Sequence, residues 1–111
     1  MRRNRWHILE EDGALILARR VPVRFDLAVV TSLPRGGKRR VAQQVRQDIW
    51  RALRHLRGFA PAVRVAEGPD GLIVTAGGQV DGAFPLGQAE ARIAEVLEDR
   101  ANRARWMRWA A

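Results

Sequence analysis

The stretch Lys38–Arg57, KRRVAQQVRQDIWRALRHLR, decides how this chain is read. At 100° per residue, Val41, Ala42, Val45, Ile49, Ala52, Leu53 and Leu56 fall within one arc of about 120°, the stripe that an amphipathic helix buries. Gly58 and Pro61 follow as stop signals. Immediately upstream, Val23–Thr31 alternates: Val23, Phe25, Leu27 and Val29 share one face, with Arg24 and Asp26 opposite, giving way to Ala28 and Val30. That drift toward two apolar faces predicts a central strand. The chain therefore switches from a period of two to a period of 3.6 across the loop Ser32-Leu-Pro-Arg-Gly-Gly37.

Working outward, the segments from Trp6 to Glu10 and from Ala14 to Ala18 read as two short strands around an Asp12-Gly13 turn. Pro22 ends any continuation, because it cannot donate a ladder hydrogen bond. Beyond the helix, Ala62–Ala66 and Leu72–Ala76 flank Glu67-Gly-Pro-Asp-Gly71, in which Pro presets φ and Gly supplies positive φ. Gly77, Gly78, Gly82 and Pro85 predict a loop. From Leu86 or Gly87 a second long helix is expected to run to about Trp109, burying Ala89, Ile93, Val96, Leu97, Ala104 and Met107. The order ββ-β-α-ββ-α predicts an α+β two-layer sandwich. A mainly antiparallel sheet of about five strands carries two long amphipathic helices on one face. Length predicts a single domain over 1–111, with an N-terminal hairpin in 1–20 and a basic Arg/Trp helical tail in 100–111.

Charge is distributed unevenly over this frame. The net charge is +8 from 20 basic and 12 acidic residues, and Lys38 is the sole lysine. Arg35–Arg57 carries eight cations against Asp48 alone; Met1–Arg5 adds three and Arg100–Arg108 adds four, so the remainder is net acidic. A GC-rich genome accounts for arginine over lysine and for 17 alanines, but not for the clustering. Three basic blocks on an acidic body imply a surface for something anionic.

Other chemistry is missing. Without cysteine there are no disulfides, thiol catalysis or Cys-based metal sites, and a reducing compartment is expected, with the cytoplasm as default. No apolar run approaches the roughly 18 residues of a membrane span, and acids at Glu10, Glu11 and Asp12 follow the basic start too soon for a secretory segment. His7 and His55 have no partners in sequence for catalysis, Ser32 lies in no nucleophile elbow, and Glu10-Glu11-Asp12 reads as a solvated turn. Gly77-Gly78-Gln79 repeats the tripeptide with which class I peptide release factors act on peptidyl-tRNA. Its flanks do not resemble that family, and three residues carry no assignment. No enzyme activity, cofactor or metal is expected.

The candidate binding residues follow from the basic blocks. Opposite the apolar stripe stand Gln43, Gln47, Arg46, Arg51, Arg54 and Arg57, with Trp50 among them. Arginine neutralises phosphate while an indole stacks on an unpaired base, the combination used on single-stranded or looped RNA. The alternative is that Trp50, at the flank of the stripe, is covered by the N-terminal hairpin or by a partner subunit, with its ring packed by arginine stems. Arg35, Lys38, Arg39 and Arg40 surround Gly36-Gly37 at the helix start, where free N–H groups and the dipole attract anions; cations there oppose the dipole, a small local penalty consistent with an anion site. A Walker loop does not fit, since Gly-Gly-Lys is followed by Arg.

In the tail, Arg103, Arg105, Arg108, Trp106 and Trp109 join the candidates, with both tryptophans expected on the side away from Ile93 and Leu97. They pack on the body through a rotated helix, anchor a partner protein, or stack on nucleic acid or an anionic membrane. The function expected is a non-enzymatic nucleic-acid-binding module, RNA before DNA. The alternative is an interaction or assembly subunit that binds an acidic protein or forms a homodimer through the hairpin edge.

Overall fold

Apolar periodicity is realised most directly in the helix α1 (Lys38–Leu53) of the computed structural model, which describes residues 6–110. Val41, Ala42, Val45, Ile49 and Leu53 are all buried, as the stripe requires. The helix is shorter than expected: Arg54 is its C-cap, and Gly58 at φ +74° turns the chain into the next strand, so Arg57 lies in the connecting turn. The basic block at residues 1–5 lies outside the described residues.

Five strands form one antiparallel sheet: β1 (His7–Glu11), β2 (Ala14–Ala18), β3 (Leu27–Leu33), β4 (Phe59–Gly68) and β5 (Gly71–Val80), in the order β1-β2-β4-β5-β3. Two helices, α2 (Leu86–Glu98) and α3 (Arg100–Trp109), complete an α+β arrangement. Helices pack on one face of the sheet, where Leu15, Leu17, Val63, Val65, Val74 and Leu27 meet Val45, Ile49, Ile93, Leu97 and Trp106 in one core. Register places Leu15 opposite Val65 and Val65 opposite Val74, which puts these side chains on the same face. The first hairpin turns through Asp12 at φ +51° and Gly13 at φ +78°, the geometry that Asp-Gly favours, and joins the sheet through β2.

Several sequence expectations are corrected. The third strand starts at Leu27 rather than Val23, making β3 an edge strand rather than a central one. Val23 and Phe25 instead cover Ile16, Ala18 and Ala62 on the opposite sheet face, because the 19–26 connection must cross beneath β4 and β5 to reach the far edge. Asp26 pins that crossing by accepting from the Val80 backbone N–H at 2.9 Å and from Arg24. Ser32 and Leu33 belong to β3, not to the loop. The fourth and fifth strands are longer than expected, and Pro61, Gly77 and Gly78 lie inside them. A Cβ at Gly77 would sit 1.9 Å from the Leu27 carbonyl oxygen, so glycine there admits close strand approach rather than a loop.

The largest correction concerns the second helix. It is two helices, broken at Asp99, whose backbone is extended (φ −67°, ψ 122°). Asp99 Oδ1 accepts from the Asn102 N–H at 2.9 Å and caps α3, while Asn102 Nδ2 donates to the Val96 carbonyl at 3.1 Å. This break resets the helical phase. Ala104, expected inside, is exposed, Met107 is half-buried, and Trp106, expected outside, is fully buried.

Candidate functional site

The two long flanks of α1 have different surroundings. One faces α3. There Asp48, 11% exposed, accepts from Trp106 Nε1 at 2.6 Å and from Arg105, and lies 3.8 Å from Arg51. Arg103 donates to Thr31 Oγ1 at 3.1 Å and to the Leu97 and Ser32 carbonyls, while Thr31 donates to Glu98 at 2.7 Å. These contacts hold α3 against α1 and β3. Arg103, Arg105 and Trp106 are therefore engaged in building the body. Arg108 and Trp109 remain exposed, the latter at 57%.

The helix start is also occupied. Gly37 N–H donates to the Ala110 carbonyl at 2.8 Å, and a Cβ at Gly36 would lie 3.0 Å from both Ala110 Cβ and Met107 Cε. The two glycines thus receive the end of α3 rather than standing open as a phosphate cradle. Lys38 Nζ donates to the Gly13 carbonyl at 2.9 Å and lies 3.6 Å from Glu67, tying α1 to the first hairpin. Arg40 reaches the Trp109 carbonyl at 3.5 Å. Arg35 and Arg39 are exposed and make no ion pair or hydrogen bond among the described residues.

The other flank is open. Arg39, Arg46, Trp50 and Arg54 project from it, near the end of the helix where Arg57 enters the turn. Beside it lies a cleft of about 470 Å³, lined by Trp6, Arg19, Arg20, Arg46, Trp50, Phe59, Ala60 and Pro61. Four elements build it: the residue before β1, the two residues after β2, the middle of α1 and the start of β4. Arg46 stacks on Trp6, with its Cζ 4.5 Å from the ring centroid, and Arg19 stands 5.8 Å from the same ring. Such cation–π contacts are worth about 0.5–2 kcal/mol according to their burial.

Arg46 makes no hydrogen bond among the described residues, and its Nε is buried without a partner. Burial alone pulls its guanidinium below the ordinary arginine range, though an arginine remains charged at neutral pH. Arg20 pairs with Asp81 at 2.9 Å, and hydrogen bonds from Arg20 and then Gln79 hold the Asp81 carboxyl below its usual value. Trp50 is 42% exposed and lines this cleft, and no cation–π contact to it is seen among the described residues. The arginine-packed indole anticipated at Trp50 is in fact Trp6.

Sequence reasoning missed Trp6, Arg19 and Arg20. The signal was present as a lone tryptophan before one strand and an Arg-Arg pair after its hairpin partner, since His7 pairs with Ala18. Among the described residues no group of three or more His, Cys, Asp or Glu could hold a metal ion, and no helix is long and apolar enough to cross a membrane. No protein-family model, no curated protein and no solved structure matches this chain, so its own residues carry the functional argument.

Proposed function

We propose that this protein is a non-enzymatic module that binds single-stranded nucleic acid, RNA in preference to DNA, along the open flank of α1. One observation carries the proposal: Arg39, Arg46 and Arg54 share a flank of α1 with the half-exposed Trp50, Arg57 follows in the turn and, among the described residues, no acid answers them. A merely solvated helix face alternates in sign. Here the sole acid of α1, Asp48, is turned to the opposite flank and consumed by Arg105 and Trp106. Unpaired guanidiniums would follow the phosphates while Trp50 stacks on an unstacked base.

With about four phosphates neutralised, log affinity for a single strand falls against log salt with a slope near −2.8, roughly −0.7 per contact. Fluorescence anisotropy of a labelled 12-nucleotide RNA over a salt series tests this. No binding at about 50 mM salt, or binding indifferent to salt, overturns it.

A second reading rests on a separate surface. Edge strand β1 exposes Ile8 and Leu9, and Trp109 stands exposed on α3, which favours an assembly subunit that pairs with itself or with an acidic protein. Light scattering across concentration, and identification of what co-purifies without nuclease at low salt, separate the two: bound nucleic acid supports the first, a stoichiometric acidic protein or a dimer the second.

A further inference from the structure

We propose that the free edge of β3 is a self-pairing seam, through which two copies of this chain join their sheets antiparallel into one continuous sheet. The inference rests on the self-pairing reading above and gives it a surface, β3 rather than β1. Sequence comes first. Leu27-Ala-Val-Val-Thr-Ser-Leu33 contains no charged residue, proline or glycine, whereas the opposite edge, His7-Ile-Leu-Glu-Glu11, ends in two acids. Charges and prolines are the devices that keep a free edge from pairing, and β3 carries neither. Val30, at 61%, is the most exposed large hydrophobic residue among those described.

Backbone geometry comes second. Pro61 stands opposite Gly78 and has no N–H, so Gly78 directs its peptide at β3, where its carbonyl accepts from the Asp26 N–H at 2.9 Å. Leu27 pairs with Gly78, and alternation then turns Leu27, Val29 and Thr31 toward β5, and Ala28, Val30 and Ser32 toward the free edge. The Ser32 carbonyl is met there by Arg103 at 2.5 Å. Pairing is therefore centred on Val29. Ala28 of each copy lies opposite Val30 of the other, and about four main-chain hydrogen bonds form without displacing Arg103.

Charge selects a second copy as the occupant. Two chains of net charge +8 repel unless they meet at a neutral surface. The cations that border this seam are both answered: Arg103 lies 3.7 Å from Glu98, and Arg24 donates to Asp26 at 2.9 Å. The same register sets Ser32, with its Arg103, opposite Asp26 of the other copy, so balanced ion pairs rather than bare cations meet at each end. Helix α1 packs over β4 and β2, away from β3, so its open flank stays clear and strand binding is compatible with the dimer.

Area sets the strength. A seven-residue strand is about 23 Å long, and with a helix layer about 10 Å above it the seam covers roughly 900 Å² in total. That is the small end of specific interfaces, so a dissociation constant on the order of 10–100 μM is expected.

Sedimentation velocity of the full chain, freed of nucleic acid, over about 5 to 500 μM tests the seam. The average mass should rise toward twice that of the monomer, and added salt should tighten the dimer by screening repulsion, the reverse of its effect on RNA affinity. Val30→Lys should weaken the dimer at least about tenfold with an unchanged melting midpoint. Ala28→Pro, which removes a seam N–H without touching a β5 bond, should do the same, while Leu9→Lys on β1 should change nothing. A dimer that survives both β3 variants, or one that salt dissolves, overturns the seam; its loss through Leu9→Lys instead keeps self-pairing and returns it to β1. A chain that stays monomeric throughout overturns the seam and self-pairing together and leaves strand binding on α1 standing.

Discussion

The Arg/Trp flank of α1 and the Arg/Trp tail of α3 are written in the same residues and end in opposite environments. In the tail, Trp106 is fully buried and Arg103 and Arg105 are saturated by Thr31, Ser32, Leu97 and Asp48. On the flank, Arg46 keeps an orphaned Nε and Trp50 stays half-exposed beside a cleft. The difference comes from acceptors, not from the cations. Two acids, Asp48 and Glu98, answer Arg105 and Arg103, and Thr31 with two carbonyls at the end of β3 and α2 completes the set; among the described residues nothing equivalent faces the flank. Arginine and tryptophan thus act as core cement where an acceptor waits and as a recognition surface where none does.

The sharpest way to break this comparison is to truncate one tryptophan from each region. Trp106→Ala removes a wholly buried indole and is expected to cost about 3–5 kcal/mol, lowering the melting midpoint by roughly 15 °C or more. Trp50→Ala should change stability by about 1 kcal/mol or less, yet weaken RNA binding about tenfold. Equal effects on stability would erase the distinction between cement and surface.

A smaller effect is expected at the acceptor itself. Asp48→Ala leaves the Trp106 N–H and Arg105 without their shared partner and should cost about 2 kcal/mol in denaturant titration, with RNA affinity little changed or slightly raised. Arg46→Gln on the other flank should reverse that pattern, with a stability loss of about 1 kcal/mol at most and a several-fold loss of affinity in anisotropy.

The smallest effect is expected at the carboxylates beneath the sheet and beside the cleft. The Arg24 hydrogen bond, followed by the Val80 N–H, holds the Asp26 carboxyl below its usual value, and Arg20 followed by Gln79 does the same for Asp81. A carboxyl depressed on folding stabilises the native state above its unfolded value, and that stability is lost as pH falls through the folded value. Stability should therefore be flat from pH 7 to about 5 and decline below about 4. Asp26→Asn should flatten part of that decline in pH-dependent melts.

Much of the frame was legible from periodicity. Val41, Val45, Ile49 and Leu53 marked α1, Asp12-Gly13 marked the first hairpin, and the order of elements led to the α+β sandwich. What escaped was set by non-local geometry. Val23 and Phe25 alternate like strand residues, but a chain that must cross from β2 to the far edge uses them to cover the opposite face. Gly77 and Gly78 resemble breakers because sequence cannot show how close the Leu27 and Ala60 carbonyls come.

Asp99 was readable in principle. An aspartate at the helix-cap position, with Asn102 three residues on, is a start signal, and heeding it would have rotated Trp106 inward. For the site, the α1 cations were legible, but not which of them already had partners. Trp6, Arg19 and Arg20 converge with Arg46 only through the pairing of β1 with β2 and the seating of α1 over β4.

The central claim is that the open flank of α1, not the tail, carries the nucleic-acid contacts. Salt-dependent RNA affinity of two charge-removal variants tests it most directly: Arg39→Gln, Arg54→Gln and Arg57→Gln combined, against Arg100→Gln and Arg108→Gln combined. The flank variant should lose affinity at least tenfold, with the magnitude of its log–log salt slope reduced by about two, while the tail variant stays near the parent slope. A tail variant that loses as much slope as the flank variant, or a flank variant indistinguishable from the parent, would contradict it.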